Sequence, residues 1–257
     1  MVMRRAIFNQ KGGVGKSTIT CNLAAISAHN NKHTLVIDLD PQGNSTQYLL
    51  GSTEQVCETT LVDYFEEQLY RTVDPKGLRG CIHETPFQRL DLVPSHSNLE
   101  YLAEKLDSRH KMYKLKEALD SFSDYDNIYI DTPPALNFYT RSALIASDAC
   151  LIPFDCDYFS RRALHVLLDT ISKVQSDHSR RLKLEGIIVN QFQVTANLPK
   201  RIVSELLEEG LPVLDTYLSS SIKIRESREK SLPMVHLDPR HKLTRQFEAL
   251  YLKLNPS

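Results

Sequence analysis

Short apolar runs punctuate this chain, and several end on an acidic residue. Residues 4–8, 34–38, 127–131, 149–154, 184–189 and 211–216 have the near-continuous hydrophobicity of buried strands, and 90–94 alternates as a strand does. Between these runs the period lengthens to that of a helix. Ile19, Leu23 and Ile26 follow the first run, residues 61–66 read as a short amphipathic helix, and Ala163, Leu167 and Ile171 share one face of 160–175. A closing helix over 240–254 brings Leu243, Phe247, Leu250 and Leu254 together. Residues 74–77 read as a turn, and 95–98 as a capping loop ahead of a helix, with His96 a polar loop residue. Roughly twenty residues separate the first two strands, room for one crossover helix, so a parallel βαβ unit is expected there. No repeat, linker or low-complexity tract interrupts the pattern, and residues 1–257 are read as a single α/β domain.

Composition narrows this picture more than it extends it. The chain has 257 residues, enough to bury a sizeable core, with 41% hydrophobic and 25% charged residues. A net charge of −1 gives no global attraction to nucleic acid, so any such surface has to be a local patch. Five cysteines, odd in number and without a C-x-x-C pair, point to reduced thiols rather than a disulfide framework or a zinc site. No apolar run reaches membrane-spanning length and the start lacks a signal-peptide core, so a cytoplasmic location is expected.

The chemistry begins at residues 9–18, Asn-Gln-Lys-Gly-Gly-Val-Gly-Lys-Ser-Thr, which lie between the first strand and the first helix. Gly12, Gly13, Val14 and Gly15 let backbone amides close on phosphate oxygens, and the helix beginning near Ser17 and Thr18 points its positive end at the same anion. Lys16 is expected on the β- and γ-phosphates and the Ser17 hydroxyl on Mg²⁺. The plain motif wants glycine at position 10; this chain has Gln10 and then a second lysine, Lys11. Asp38 and Asp40 stand at the carboxyl end of the second strand, where open α/β sheets bind ligands. Asp131 ends another apolar strand in the manner of a Walker B carboxylate that holds Mg²⁺, and Pro133 and Pro134 stiffen its exit. A guanine reader wants N-K-x-D; Asn190-Gln191-Phe192-Gln193 is not one, which favours ATP over GTP.

The string K-G-G-V-G-K-S-T resembles the deviant Walker A loop of the ParA/MinD family of ATPases, D-L-D-P-Q-G-N resembles the ParA branch closely, and D-T-P-P-A is similar to the family's switch region. The resemblance spans essentially the whole chain and is specific in those three segments. It implies a doubly wound, mostly parallel sheet flanked by helices, and a homodimer that sandwiches ATP. It also implies that Lys11 reaches the partner's phosphates and that Asp40 positions the attacking water. Asp38 is placed in the Mg²⁺ shell, and Asn190 at the adenine edge, as in the MinD-like branch. Such proteins are slow switches whose ATP dimer binds a surface until a partner triggers hydrolysis.

Non-specific nucleoid DNA is the expected surface. Lys200, Arg201, Lys223, Arg225, Arg228, Lys230, Lys242 and Arg245 form groups near helix ends, although Glu226 and Glu229 intervene. Arg225 sits where ParA proteins tend to carry a DNA-contacting arginine. Membrane attachment is the rival, as in MinD-like proteins with an added basic amphipathic helix; here the last helix is read as core. Other members are disfavoured. Cys150 and Cys156 lack an iron–sulfur ligand pattern, no C-terminal C-x-x-C is present, only Tyr251 stands near the end, and a ligase does not need Lys11. No helix-turn-helix precedes the first strand, so operator binding is not expected. The activating partner is expected to be a ParB-like protein or an adaptor for a polar structure.

Overall fold

The computed structural model describes residues 2–51, 57–70 and 72–256. The apolar runs become β1 (Met3–Ile7), β2 (Thr34–Asp38), β4 (Leu90–Val93), β5 (Asn127–Asp131), β6 (Ala149–Asp155) and β7 (Lys183–Asn190), with a two-residue β3 (His83–Glu84) added at one edge. Among the described residues they form one seven-stranded sheet of order β3-β4-β2-β5-β1-β6-β7, in which only the β3–β4 pair is antiparallel. β1 is the turning point. The chain moves to one side of it through β2 and β4, then returns to the other through β6 and β7, so the loop after β1 opens at a topological switch point.

Alternation along the strands builds two cores. Ala6, Leu35, Ile37, Ile128 and Ile130 face one side, beneath α3 (Leu61–Leu69), α4 (Leu99–Ser108), α5 (Lys114–Leu119), α6 (Phe138–Ala146), α7 (Tyr158–Asp177) and α8 (Asn197–Glu208). Ile7, Val36, Tyr129 and Leu151 face the other, beneath α1 (Lys16–His29), α2 (Asn44–Leu50), α10 (Met234–Leu237) and α11 (Lys242–Leu254). α9 (Lys223–Glu229) precedes α10. The sheet is covered on both faces, as a mostly parallel sheet requires. Among the described residues no helix is long and apolar enough to cross a membrane.

One expected strand is not formed. Residues 211–216 run beside β7 but make only an isolated bridge between Val213 and Ile187. Ile187 donates to the Pro212 carbonyl at 2.8 Å and accepts from Leu214 at 3.0 Å. Pro212 has no N–H, so the ladder cannot continue past it. Leu214 packs over Gly186, where an added Cβ would lie 2.6 Å from the leucine Cγ, so that glycine admits the segment. The helix over 240–254 is present and starts two residues late, because the His241 side chain accepts from the Leu243 amide and caps it. Its far end is tied down by Arg5, which is 1% exposed. The guanidinium donates to Glu185 at 2.8 and 3.0 Å, to the Leu254 carbonyl at 2.6 Å and to Asn255 at 3.2 Å. A cation against the last carbonyls of a helix is well placed.

Candidate nucleotide site

The glycine-rich loop lies at the carboxyl end of β1, and its start is pinned by Asn9. That side chain donates to the Pro153 carbonyl on β6 at 2.7 Å and accepts from the Lys11 amide at 2.8 Å. Gly15 closes the loop in the left-handed region, with φ of 92°. A Cβ there would also stand 2.4 Å from the Asn190 amide nitrogen, which donates to the Val14 carbonyl at 2.9 Å. Only glycine meets both conditions. Asn190 thus touches the phosphate loop itself, from the end of β7. Lys16 follows, 7% exposed, with its ammonium 3.3 Å from the Lys11 carbonyl. Burial lowers its pKa, while Asp131 and Asp40 act to raise it.

Parallel register sets the acids. β2 and β5 are neighbours with Asp38 opposite Asp131, and β1 places Ile7 opposite Asp131 on the other side. All three strand ends therefore meet beside the loop. Asp131 is fully buried; Ser45 donates to its Oδ2 at 2.7 Å, and its Oδ1 has no hydrogen-bond partner. Burial pushes its pKa up to about 6, against the pull of the Ser17 and Ser45 hydroxyls. A buried anionic oxygen without a donor, next to a serine hydroxyl, is the donor set for a hard cation that keeps most of its waters. No cluster of three or more His, Cys, Asp or Glu able to hold a metal occurs among the described residues. The geometry suits Mg²⁺ arriving with phosphates rather than an all-protein cage.

Asp38, expected in the cation shell, has protein donors on both oxygens. Its Oδ2 accepts from the Thr46 amide at 2.7 Å and the Thr46 hydroxyl at 2.8 Å, and its Oδ1 from the Asp40 amide at 3.2 Å. Oδ2 pins the first turn of α2 and Oδ1 the loop before it, and burial with Asp131 nearby raises its pKa well above the carboxylate range. Its work is to position the neighbouring loop. Asp40 is buried, 5% exposed, and lines the cavity. Its carboxylate accepts from the Gln42 amide at 3.0 Å, its carbonyl accepts from Ser95 at 2.5 Å, and burial raises its pKa. Lys11 is exposed at the rim and bonds Asp157, with Asp155 at 4.0 Å, so the β6 exit of its own chain holds it.

A cavity of about 610 Å³ opens over the loop. Gly12, Gly13, Gly15, Lys16, Ser17 and Thr18 form one wall, with Asp40 and Pro134 beside them. Across it stand Gln47 and Tyr48 of α2 and Arg225 and Arg228 of α9.

Residues 4–184 match the model of the family described as an AAA domain. The sporulation initiation inhibitor protein Soj of Bacillus subtilis is 33% identical over 238 residues, covering 91% of each chain. The chromosome partitioning protein ParA of Myxococcus xanthus is 31% identical over 249 residues, covering 95% of this chain and 84% of that one. This chain belongs to the ParA/MinD family of P-loop ATPases. The fold agrees. The apo structure of McdA from Cyanothece superposes with a TM-score of 0.85 over 99% of this chain and 100% of that one, at 21% identity.

The ParA/MinD-type loop, Asp40 and Asp131 are brought together as expected, whereas the basic residues are not one patch. Lys223 and Lys230 both bond Glu226, each at 2.8 Å, and their hydrogen bonds draw its carboxyl down to about 2. Arg225 and Arg228 face the nucleotide cavity. Lys242 and Arg245 flank a separate surface hollow with Arg240, and Lys200 and Arg201 lie on α8. Sequence reasoning missed Asn9, Ser45, Thr46, Asp155 and Asp157. The last two carried a signal, an acidic pair immediately after a strand at the sheet's ligand end.

Proposed function

We propose that this chain is an ATP-driven switch that dimerises around ATP and Mg²⁺, binds DNA without sequence preference, and hydrolyses slowly until a partner stimulates it. The observation that carries this reading is the cavity itself. It joins a glycine loop, a buried lysine, the Ser17 hydroxyl and the Asp40 carboxylate, with Asp131 at the neighbouring strand end. Lys16 holds the β- and γ-phosphates, while Ser17 and Asp131 hold Mg²⁺. When bound, that ion neutralises charge on the phosphates. Asp40 orients water within the cavity. Lys11 sits at the rim and leaves its carboxylates for the phosphates of a second copy. The Bacillus relative is named for sporulation initiation and the Myxococcus relative for chromosome partitioning. These names support positioning or segregation of a plasmid, chromosome origin or polar protein cargo, with a ParB-like or adaptor partner.

The test is mass by light scattering, with and without Mg·ATP. The parent should double in mass with ATP and Lys11→Ala should stay monomeric, with stimulated hydrolysis lost. Asp40→Ala should remain trapped as the ATP dimer, since the nucleotide contacts survive. A parent that stays monomeric with bound ATP refutes the reading.

The DNA surface is assigned to exposed Lys200, Arg201, Lys242 and Arg245. Filter binding to random duplex with ATP should weaken steeply as salt rises, with a slope of about −0.9 per phosphate contacted. The membrane reading is disfavoured by α11. Leu243, Phe247, Leu250 and Leu254 are buried in the core, and Arg5 holds the helix end, so that apolar face is not available to lipid.

A further inference from the structure

The geometry points to Arg225 and Arg228 as phosphate-binding residues of the nucleotide site, not as part of a DNA surface. This rests on the nucleotide reading above and extends it. The two side chains stand three apart on α9, on one helical face, and both line the cavity that holds Gly15, Ser17 and Thr18. Both are exposed, and neither has an ion-pair or hydrogen-bond partner among the described residues. The neighbouring carboxylate of Glu226 is shared by Lys223 and Lys230. Glu229 lines the same cavity, so the wall carries two cations against one anion.

A chain of buried hydrogen bonds gives this wall a fixed place. The Asn22 amide of α1 donates to the Thr18 carbonyl at 2.8 Å and to the Tyr48 hydroxyl at 3.1 Å, while its Oδ1 accepts from the Met234 amide at 2.8 Å. Ser227 uses its proton on the Leu232 carbonyl at 2.5 Å, so the Tyr48 hydroxyl must donate to Ser227 Oγ, also at 2.5 Å. Ser231 adds a bond to the Gln47 carbonyl at 3.1 Å. The helix that carries the arginines is therefore bolted to the helix that begins at the phosphate loop. Ser227, between Arg225 and Arg228, is 0% exposed, so α9 cannot turn without breaking the chain. Two fork-shaped cations held over a phosphate cradle match the oxygens of a nucleoside polyphosphate.

The experiment is equilibrium binding of a fluorescent ATP analogue and of ADP to the full chain, with Arg225→Gln, Arg228→Gln and the double variant. Exposed side chains are replaced, and a thermal melt checks each fold. Each single change should raise Kd by about tenfold or more, and the double change further. Arg228→Lys should recover only part of the loss, because an ammonium lacks the fork. Duplex binding by the double variant, measured at saturating ATP, should match the parent. If the parent itself binds no nucleotide, the reading of the site fails. If the parent binds and the double variant binds equally well, this inference is overturned. Loss of duplex binding by that variant in the same experiment would return the two arginines to the DNA surface.

Discussion

Replacing Asp131 with asparagine should stabilise the nucleotide-free protein while destroying its use of Mg²⁺. The carboxylate is fully buried, one of its oxygens is without a donor, and its pKa is about 6 where an unburied aspartate has 3.8. A raised acid pKa means that the fold prefers the protonated form. Its stabilising effect is complete below the unfolded value and is lost as pH rises through 6. Two pKa units correspond to about 3 kcal/mol, so at pH 8 the ionised side chain costs the apo fold about that much. Asparagine keeps an acceptor for Ser45 and carries no charge. Urea melts at pH 8 should show Asp131→Asn more stable by about 2–3 kcal/mol, and at pH 5 by about half of that, since the parent is then largely protonated. Saturating Mg·ATP should reverse the order, raising the parent's Tm and leaving the variant's unmoved. The reasoning is refuted if the variant is the less stable at pH 8, or if its advantage is the same at both pH values.

Two other substitutions probe the frame around the site. Gly15→Ala forces a side chain into the left-handed region and onto Asn190; a loss of about 1–3 kcal/mol in thermal melts is expected, and an unchanged melt would sink the argument. Tyr48→Phe leaves Ser227 and Asn22 each short of a partner and should cost about 1–3 kcal/mol in urea melts. A smaller loss than that of an exposed Tyr101→Phe control would show that the bonds to α9 do not hold it.

Much of the site was legible because its chemistry is local. The glycines, Lys16 and Ser17 act through a backbone turn that nine or ten successive residues define, and Asp131 follows from an apolar strand that ends in acid. Asp40 could be placed because a residue two beyond a strand end must lie at the sheet's ligand edge. Asp38 shows the opposite case. Position alone does not reveal that Thr46, eight residues on, takes up one of its oxygens. The segment 211–216 had strand composition, yet Pro212 removes a donor at its start and Val189 bonds Leu218 rather than Thr216, so only one bridge forms.

Taken by itself, then, the order of residues determined the alternation of strand and helix, the glycine-rich loop, the family, and the placing of acids at the ends of β2 and β5. Those features depend on periods of two and three to four residues, and on short motifs. The pairing of Lys11 with Asp157 and the division of the basic residues among Glu226, the nucleotide cavity, the second hollow and α8 were decided by tertiary structure alone. So was the buried path from Thr18 through Asn22 and Tyr48 to Ser227. Charge along a sequence has no direction until a helix is docked, and Ser227 docks α9 so that its exposed arginines line the cavity. A hydrogen bond across 179 residues leaves no periodic trace in the chain.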